Sequence, residues 1–88
     1  MLDRVHMHAY YNTYNSEDAA RLREFYHAEV ILASAEGETR GADAIITAYQ
    51  AVLADFRDQM TPANISIGGD TAVVDIVDVF TARKTLWV

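Results

Sequence analysis

Four tyrosines are the residues of this chain best suited to holding a small molecule. Tyr10, Tyr14, Tyr26 and Tyr49 each combine an apolar ring with one hydroxyl, so each can contact an apolar group and hydrogen-bond to it. Tyr10 and Tyr14 stand at i, i+4 and therefore share one side of a helix. The same rings would also suit a hydrophobic core, and both interpretations are open at the level of sequence.

Two aspartates in the second half of the chain are candidates for proton transfer. Asp75 and Asp78 stand within residues 71–82, a β-branched, apolar run that predicts a strand. Side chains alternate along a strand, so the two carboxyls lie on opposite faces and at most one points inward. Burial would raise the pKa of the inward carboxyl and make it a proton acceptor. The alternative is a solvated acid on an exposed edge.

The three histidines do not form a metal-binding set. His6 and His8 point to different sides of a helix, and no second histidine stands at the i, i+4 spacing used for zinc. His27 suits the end of the second predicted helix, where a positive charge compensates the dipole. His6 shares a helix side with Tyr10 and is a further candidate for catalysis. We predict no metal and no cofactor.

The composition indicates one small acidic domain spanning residues 1–88, with about half its residues apolar. The net charge of −6 argues against a nucleic-acid partner. The chain has no cysteine, which excludes disulfides and thiolate chemistry. No stretch approaches the roughly 20 apolar residues of a membrane span, and no signal peptide is recognisable. A cytoplasmic protein without a membrane partner is expected.

Periodicity predicts three helices that position these residues. The first covers residues 2–14, with an apolar stripe of Leu2, Val5, Ala9 and Thr13. The second is capped by Ser16 and runs to about His27. The third follows Gly41, and its stripe of Ile45, Tyr49, Val52, Phe56 and Met60 carries it to Met60.

Strands are predicted around and after the third helix. Pro62 cannot extend that helix and marks the change to strands. The predicted strands are residues 29–34, 39–40, 63–67, 71–82 and 85–88. Gly68-Gly69-Asp70 supplies a hairpin turn between residues 63–67 and residues 71–82.

Three motifs in the first half of the chain carry a family resemblance. They are the tyrosine-rich first helix ending in Asn15-Ser16-Glu17-Asp18, the run Phe25-Tyr26-His27-Ala28-Glu29-Val30 after Leu22, and Arg40-Gly41-Ala42-Asp43-Ala44-Ile45. Their order resembles the nuclear transport factor 2-like superfamily, and within it the SnoaL-like and ketosteroid-isomerase-like group. The resemblance implies an α+β fold: three helices in the N-terminal half pack on a curved, mostly antiparallel sheet, a cystatin-like cone with an apolar pocket. Many members are homodimers, and this is expected here.

The resemblance also suggests roles for individual residues. Tyr10 falls where the isomerases carry the tyrosine that holds an oxyanion. Their general-base aspartate falls at Ser34, which can donate a hydrogen bond to a ligand but cannot take a proton from carbon near neutral pH. Asp75 or Asp78 is then the candidate base. The expected pocket-lining residues are Tyr14, Phe25, Tyr26, Ser34, Tyr49 and Phe56.

The resemblance is incomplete at the C-terminal end. Members normally continue through two long final strands that carry further catalytic residues, and here these strands are expected to be shortened or missing. Their loss would expose sheet edges and an apolar face. A truncated product, a divergent compact form, or a dimer that completes its sheet across chains would each account for this.

Two functions from different classes remain. The first is a small-molecule-binding domain for an apolar, polycyclic or phenolic ligand, with cofactor-free isomerase, cyclase or dehydratase chemistry. The second is a non-catalytic dimerisation or association module of the same fold.

Overall fold

Helices and antiparallel hairpins alternate along the chain and give an α+β fold. The computed structural model describes residues 2–83. Its elements are α1 (Arg4–Asn15), α2 (Ala19–Arg23), β1 (Ile31–Ser34), β2 (Gly37–Arg40), α3 (Ala42–Asp55), β3 (Phe56–Gly68) and β4 (Thr71–Ala82). β1 pairs with β2, and β3 pairs with β4, both antiparallel. The predicted fold class is therefore confirmed, and the arrangement is consistent with the predicted cone.

α1 buries its tyrosine side. The helix starts after Asp3, whose carboxylate accepts a hydrogen bond from the backbone N of His6 at 2.8 Å. Tyr11 is 9% exposed, whereas Val5 is 78% exposed. Aromatic rings bury far more apolar area than valine or alanine, so the tyrosine side faces the rest of the molecule. The predicted apolar stripe is therefore wrong at Val5 and Ala9, both of which are exposed.

α2 is shorter than predicted and has a different cap. Asp18 caps it by accepting from the backbone N of Arg21 at 3.1 Å, while the hydroxyl of Ser16 donates to a carbonyl in the last turn of α1 at 2.6 Å. Leu22 is completely buried and anchors the helix. His27 lies beyond the helix, in the turns that lead to β1. The predicted extension to His27, and its role at a helix end, are therefore wrong.

Gly41 joins the first hairpin to α3. Its backbone N donates to the carbonyl of Val30 at 2.7 Å, and its φ of 89° lies in a region that favours glycine. The chain can therefore leave β2 and enter α3 in a single residue. α3 then buries Ala42, Ile45 and Tyr49.

The third helix ends at Asp55 rather than at Met60, which is a correction to the prediction. Phe56 and Met60 continue the helical i, i+4 spacing, but residues four apart also share a face of a strand. The pattern alone could not distinguish the two structures. Pairing of Phe56 with Ala82 and of Met60 with Asp78 decides for a strand.

A bulge in β3 sets which side chains face inward. Pro62 pairs with Ile76 and Asn64 pairs with Asp75, so Ala63 is an extra residue on β3. Pro62 has no backbone N–H, which suits this break in the ladder. The extra residue shifts the alternation, so that Asp58 before the bulge and Ile65 after it are both buried.

β4 has no such shift and keeps strict alternation. Its inner face carries Val74, Ile76, Asp78 and Phe80, and its outer face carries Val73, Asp75, Val77 and Val79. α1 packs on β3 and α2, and α3 packs on α2, β2 and β3. The strand predicted at residues 85–88 lies outside the described residues.

Candidate functional site

An apolar cavity of about 220 Å³ lies between the helices and β3, and we call it the tyrosine cavity. Its lining residues come from α1, the segment after α2, β1, α3 and β3: Tyr10, Tyr14, Tyr26, Leu32, Ile45, Ala48, Tyr49, Val52 and Met60. Four of the nine are tyrosines. Because the rest are apolar, the phenol hydroxyls supply most of the polar chemistry that a ligand would meet there.

Tyr10 and Tyr26 form a hydroxyl pair at the cavity. Their oxygen atoms are 2.6 Å apart, and either can be the donor. The rings meet edge to face, with centroids 5.9 Å apart. Burial, helped by the hydrogen bond to Tyr26, raises the pKa of Tyr10 well above its ordinary value. Burial also raises the pKa of Tyr26, although its hydrogen bond with Tyr10 opposes this. Both phenols are therefore neutral and able to donate.

Tyr14 connects the cavity to two carboxyls. Its hydroxyl donates to Oδ2 of Asp58 at 2.6 Å. Asp58 is 2% exposed, and its Oδ1 has no hydrogen-bond partner among residues 2–83. Oδ1 of Asp78, on the neighbouring strand, is also buried and lacks a partner in the same part of the chain. We call Asp58 and Asp78 the carboxyl pair.

Asp78 of the carboxyl pair has a strongly raised pKa. Burial, together with the neighbouring Asp58 carboxyl and its negative charge, raises the pKa of Asp78 from 3.8 to about 7. Burial and the hydrogen bond to Asp58 raise the pKa of the Tyr14 hydroxyl well above its ordinary range. The site therefore combines a phenol that stays protonated with a carboxyl that titrates near neutral pH.

Contacts between α1, α3 and β3 hold Tyr14 and Asp58 in place. The side chain of Asn15 donates to the carbonyl of Met60 and accepts from the backbone N of Met60, both at 2.7 Å. The Tyr49 hydroxyl donates to the main-chain carbonyl of Tyr14, and burial raises the pKa of Tyr49 to about 12. These bonds fix the end of α1 against the strand that carries Asp58.

The chain is similar to a known protein family. A model described as a SnoaL-like domain matches residues 7–86. The chain belongs to the SnoaL-like domain family. This family is a member of the nuclear transport factor 2-like superfamily, so the predicted resemblance is confirmed. The family includes isomerases and cyclases. No curated protein matches the chain.

The SnoaL-like fold brings together some of the predicted site residues. Tyr10, Tyr14, Tyr26 and Tyr49 line the tyrosine cavity. Asp78 lies on the inner face of β4, partly buried beside Asp58.

Other predicted site residues lie elsewhere. Asp75 is exposed on the outer face of β4. Ser34 is exposed and serves the β1–β2 turn, where its hydroxyl donates to the carbonyl of Gly37 at 3.3 Å. Phe25 stacks against Tyr10 with centroids 5.7 Å apart, and Phe56 packs edge to face on Phe80. None of these four predicted residues is among those that line the cavity.

Asp58 is the residue that sequence reasoning missed. The predicted third helix ran to Met60, and on such a helix Asp58 would be one of several surface acids. The sequence did carry one signal for a buried Asp58: it stands midway between Phe56 and Met60, at the two-residue spacing of side chains that share one face of a strand. Once residues 56–60 form a strand, all three share a face, and an acid on an apolar face requires a partner.

Residues 2–83 contain no group of three or more His, Asp or Glu side chains placed to hold a metal ion. The expectation of no metal and no cofactor stays a prediction. Among the described helices, none is long and apolar enough to cross a membrane.

Proposed function

We propose that this SnoaL-like domain binds a small, mainly apolar molecule in the tyrosine cavity and performs acid–base chemistry on it without a cofactor or metal. One observation carries the proposal. Three hydroxyls, from Tyr10, Tyr14 and Tyr26, surround one apolar cavity. The Tyr14 hydroxyl bonds to Asp58, and Asp58 neighbours Asp78, the carboxyl whose pKa is raised to about 7. Isomerisation, cyclisation and dehydration each need a polarised acceptor and a group that moves a proton.

The Tyr10–Tyr26 pair is the donor side of the proposed site. Two hydroxyls carry two protons but share one hydrogen bond. In residues 2–83 each hydroxyl has the other as its hydrogen-bond partner, so one proton is left for a ligand. A carbonyl oxygen seated against this pair would be polarised by a neutral phenol, which is the role expected for Tyr10.

Tyr14 is the acceptor side of the proposed site. Its proton is committed to Asp58, so its oxygen keeps lone pairs for a donor on the ligand. A bond to a carboxylate also makes the phenol oxygen richer in electrons and a better acceptor. The preferred ligand therefore carries one carbonyl and one hydroxyl or amine on an apolar body.

The size of the cavity narrows the ligand class. Pockets for drug-sized ligands measure roughly 300–1,000 Å³, whereas this cavity measures about 220 Å³. A phenolic ligand with a single ring suits that volume better than a polycyclic one. In the proposed reaction Tyr10 polarises the carbonyl, and Asp78 receives or supplies the proton through Asp58 and Tyr14.

The proposal is tested with 4-hydroxyacetophenone, which has one ring, one carbonyl and one hydroxyl. Binding to the isotope-labelled protein is followed by amide chemical shifts. Tyr10→Phe should weaken binding roughly 2- to 12-fold, the usual net value of one hydrogen bond. Tyr11→Phe is the matched control, because Tyr11 is the next residue of α1, is buried, and does not line the cavity.

A second probe separates hydrogen bonding from packing. 4-Ethylphenol keeps the ring and hydroxyl but has no carbonyl, so Tyr10→Phe should leave its affinity unchanged. Equal losses for both probes, or equal losses in Tyr10→Phe and Tyr11→Phe, would contradict the role of Tyr10. Shifts of cavity residues with neither probe would refute the ligand class.

An association module of the same fold is a second candidate, and the outer face of β4 favours it. Val73, Val77 and Val79 are 65%, 56% and 54% exposed on this face. On the inner face Phe80 is also 56% exposed. A strand that exposes apolar side chains on both faces suits contact with another protein surface, and a second copy of the chain is the proposed partner.

A further inference from the structure

The carboxyl pair presents two buried oxygens that need a proton between them. Oδ1 of Asp58 and Oδ1 of Asp78 are both buried, and neither has a hydrogen-bond partner among residues 2–83. Two ionised carboxylates accept hydrogen bonds but cannot donate one to each other. A single proton on the pair satisfies both oxygens at once and removes the repulsion between two like charges.

The strand register places the two aspartates on one face. Met60 pairs with Asp78 and Asp58 pairs with Phe80, so the two aspartates are diagonal neighbours on the same face of one antiparallel ribbon. Because Asp58 is 2% exposed, water cannot separate the two charges from the Asp58 side. The pair is thus held together by the backbone and not by a flexible surface contact.

Tyr14 decides which member carries the charge. Its hydroxyl donates to Oδ2 of Asp58, and a donated hydrogen bond stabilises a carboxylate. Besides burial, the charge of Asp58 also raises the pKa of Tyr49 on α3, and Tyr10 acts by charge on Tyr14. The bond from Tyr14 therefore favours negative charge on Asp58, and Asp78 is the member whose pKa is raised.

We propose that Asp58 and Asp78 share a single proton, and that Asp58 is the positioning residue that keeps Asp78 able to give and take that proton. Its link to catalysis rests on the proposed function, because Tyr14 is the member of this group that lines the cavity. The sharing of the proton does not rest on it and can be measured without a ligand.

The experiment is a carboxyl carbon NMR titration of the labelled, ligand-free protein. The two signals are assigned by their loss in Asp58→Asn and Asp78→Asn. In the wild type both signals should move together with a midpoint near 7, because one proton serves both groups. Two separate midpoints, with Asp78 titrating near its ordinary 3.8, would overturn the proposal.

Two variants should move the Asp78 midpoint in opposite directions. Asp58→Asn removes the charge and offers an amide donor, so the midpoint should fall from about 7 toward 3.8. Tyr14→Phe removes the donor that stabilises the negative pair, so the midpoint should rise above 7. If the two substitutions only loosened the structure, the Asp78 midpoint would shift in the same direction in both variants. That result would refute the roles assigned to Asp58 and Tyr14.

Asp75→Asn is the matched control, since Asp75 is on the same strand but exposed, and it should leave the midpoint in place. If Asp58→Asn does not fold, the joint titration of the wild type still decides the proposal. Shared titration without binding of 4-hydroxyacetophenone would support the pair while refuting the proposed ligand class. Binding of 4-hydroxyacetophenone without shared titration would support the ligand class and refute the shared proton.

Discussion

Asp78 should make the stability of the protein depend on pH in an unusual direction. Its pKa is raised from 3.8 to about 7 in the folded state, so between these values the folded chain binds more protons than the unfolded chain. The free energy of unfolding should therefore fall as pH rises from about 4 to about 7. Ordinary paired carboxylates have lowered pKa values and give the opposite slope.

Denaturant unfolding across this pH range isolates the effect of Asp78. Asp78→Asn cannot ionise, so the stability of the wild type relative to this variant should decrease from pH 4 to pH 7 and level off above it. Asp75→Asn, exposed on the same strand, should follow the wild type. A wild-type advantage that stays constant with pH would show that Asp78 is an ordinary solvated acid, and one that grows with pH would show a carboxylate stabilised by the fold.

Individual residues show how far the sequence alone could lead. The tyrosines at positions 10, 14, 26 and 49 stand out in the sequence because ring and hydroxyl chemistry belongs to the residue itself. All four line the cavity, and their binding role stays a prediction. Asp58 was harder to identify, because its partner Asp78 is set by strand register and the bulge at Ala63. Registers depend on contacts between distant parts of the chain, which local periodicity does not record.

At the scale of elements, boundaries were harder to predict than element types. The order of helices and hairpins was correct because capping residues, glycines and apolar runs are local signals. The end of α3 was misplaced because Phe56, Asp58 and Met60 fit one face of a strand while Phe56 and Met60 also fit a helix. The choice between them came from pairing with β4, a tertiary interaction.

Gly41 should be the glycine on which the joint between β2 and α3 depends. Its φ of 89° and ψ of 144° lie where side chains are strained, so Gly41→Ala should lower the free energy of unfolding by about 1–3 kcal/mol. Gly68→Ala is the matched control, because a Cβ there meets no atom within 4 Å and its φ is not positive. Chemical denaturation should show loss in the first variant and little change or a slight gain in the second. Equal stability of the two variants would show that the joint relaxes freely.

At the scale of the molecule, the described chain is more extended than its length requires. Its radius of gyration is 14.0 Å, whereas a compact domain of this length has about 12 Å. The difference fits the long β3–β4 hairpin, whose strands pair along 13 and 12 residues with no third strand beside them in residues 2–83. Apolar side chains on the outer face of β4 are therefore left without cover from the described part of the chain.

This uncovered face should drive self-association against the charge of the molecule. Each copy carries −6, so two copies repel, and screening should raise the dimer fraction as salt shortens the Debye length from roughly 30 Å at 0.01 M to 3 Å at 1 M. Sedimentation velocity over a range of concentrations and salt would show this.

Val77→Lys places a charge at the centre of the outer face and should weaken association about tenfold or more. Val5→Lys makes the same change on α1, where Val5 is 78% exposed, and should leave association as in the wild type. A wild type that stays monomeric at every concentration, or equal behaviour of the two lysine variants, would remove the outer face of β4 as an interface and leave the tyrosine cavity as the basis of function.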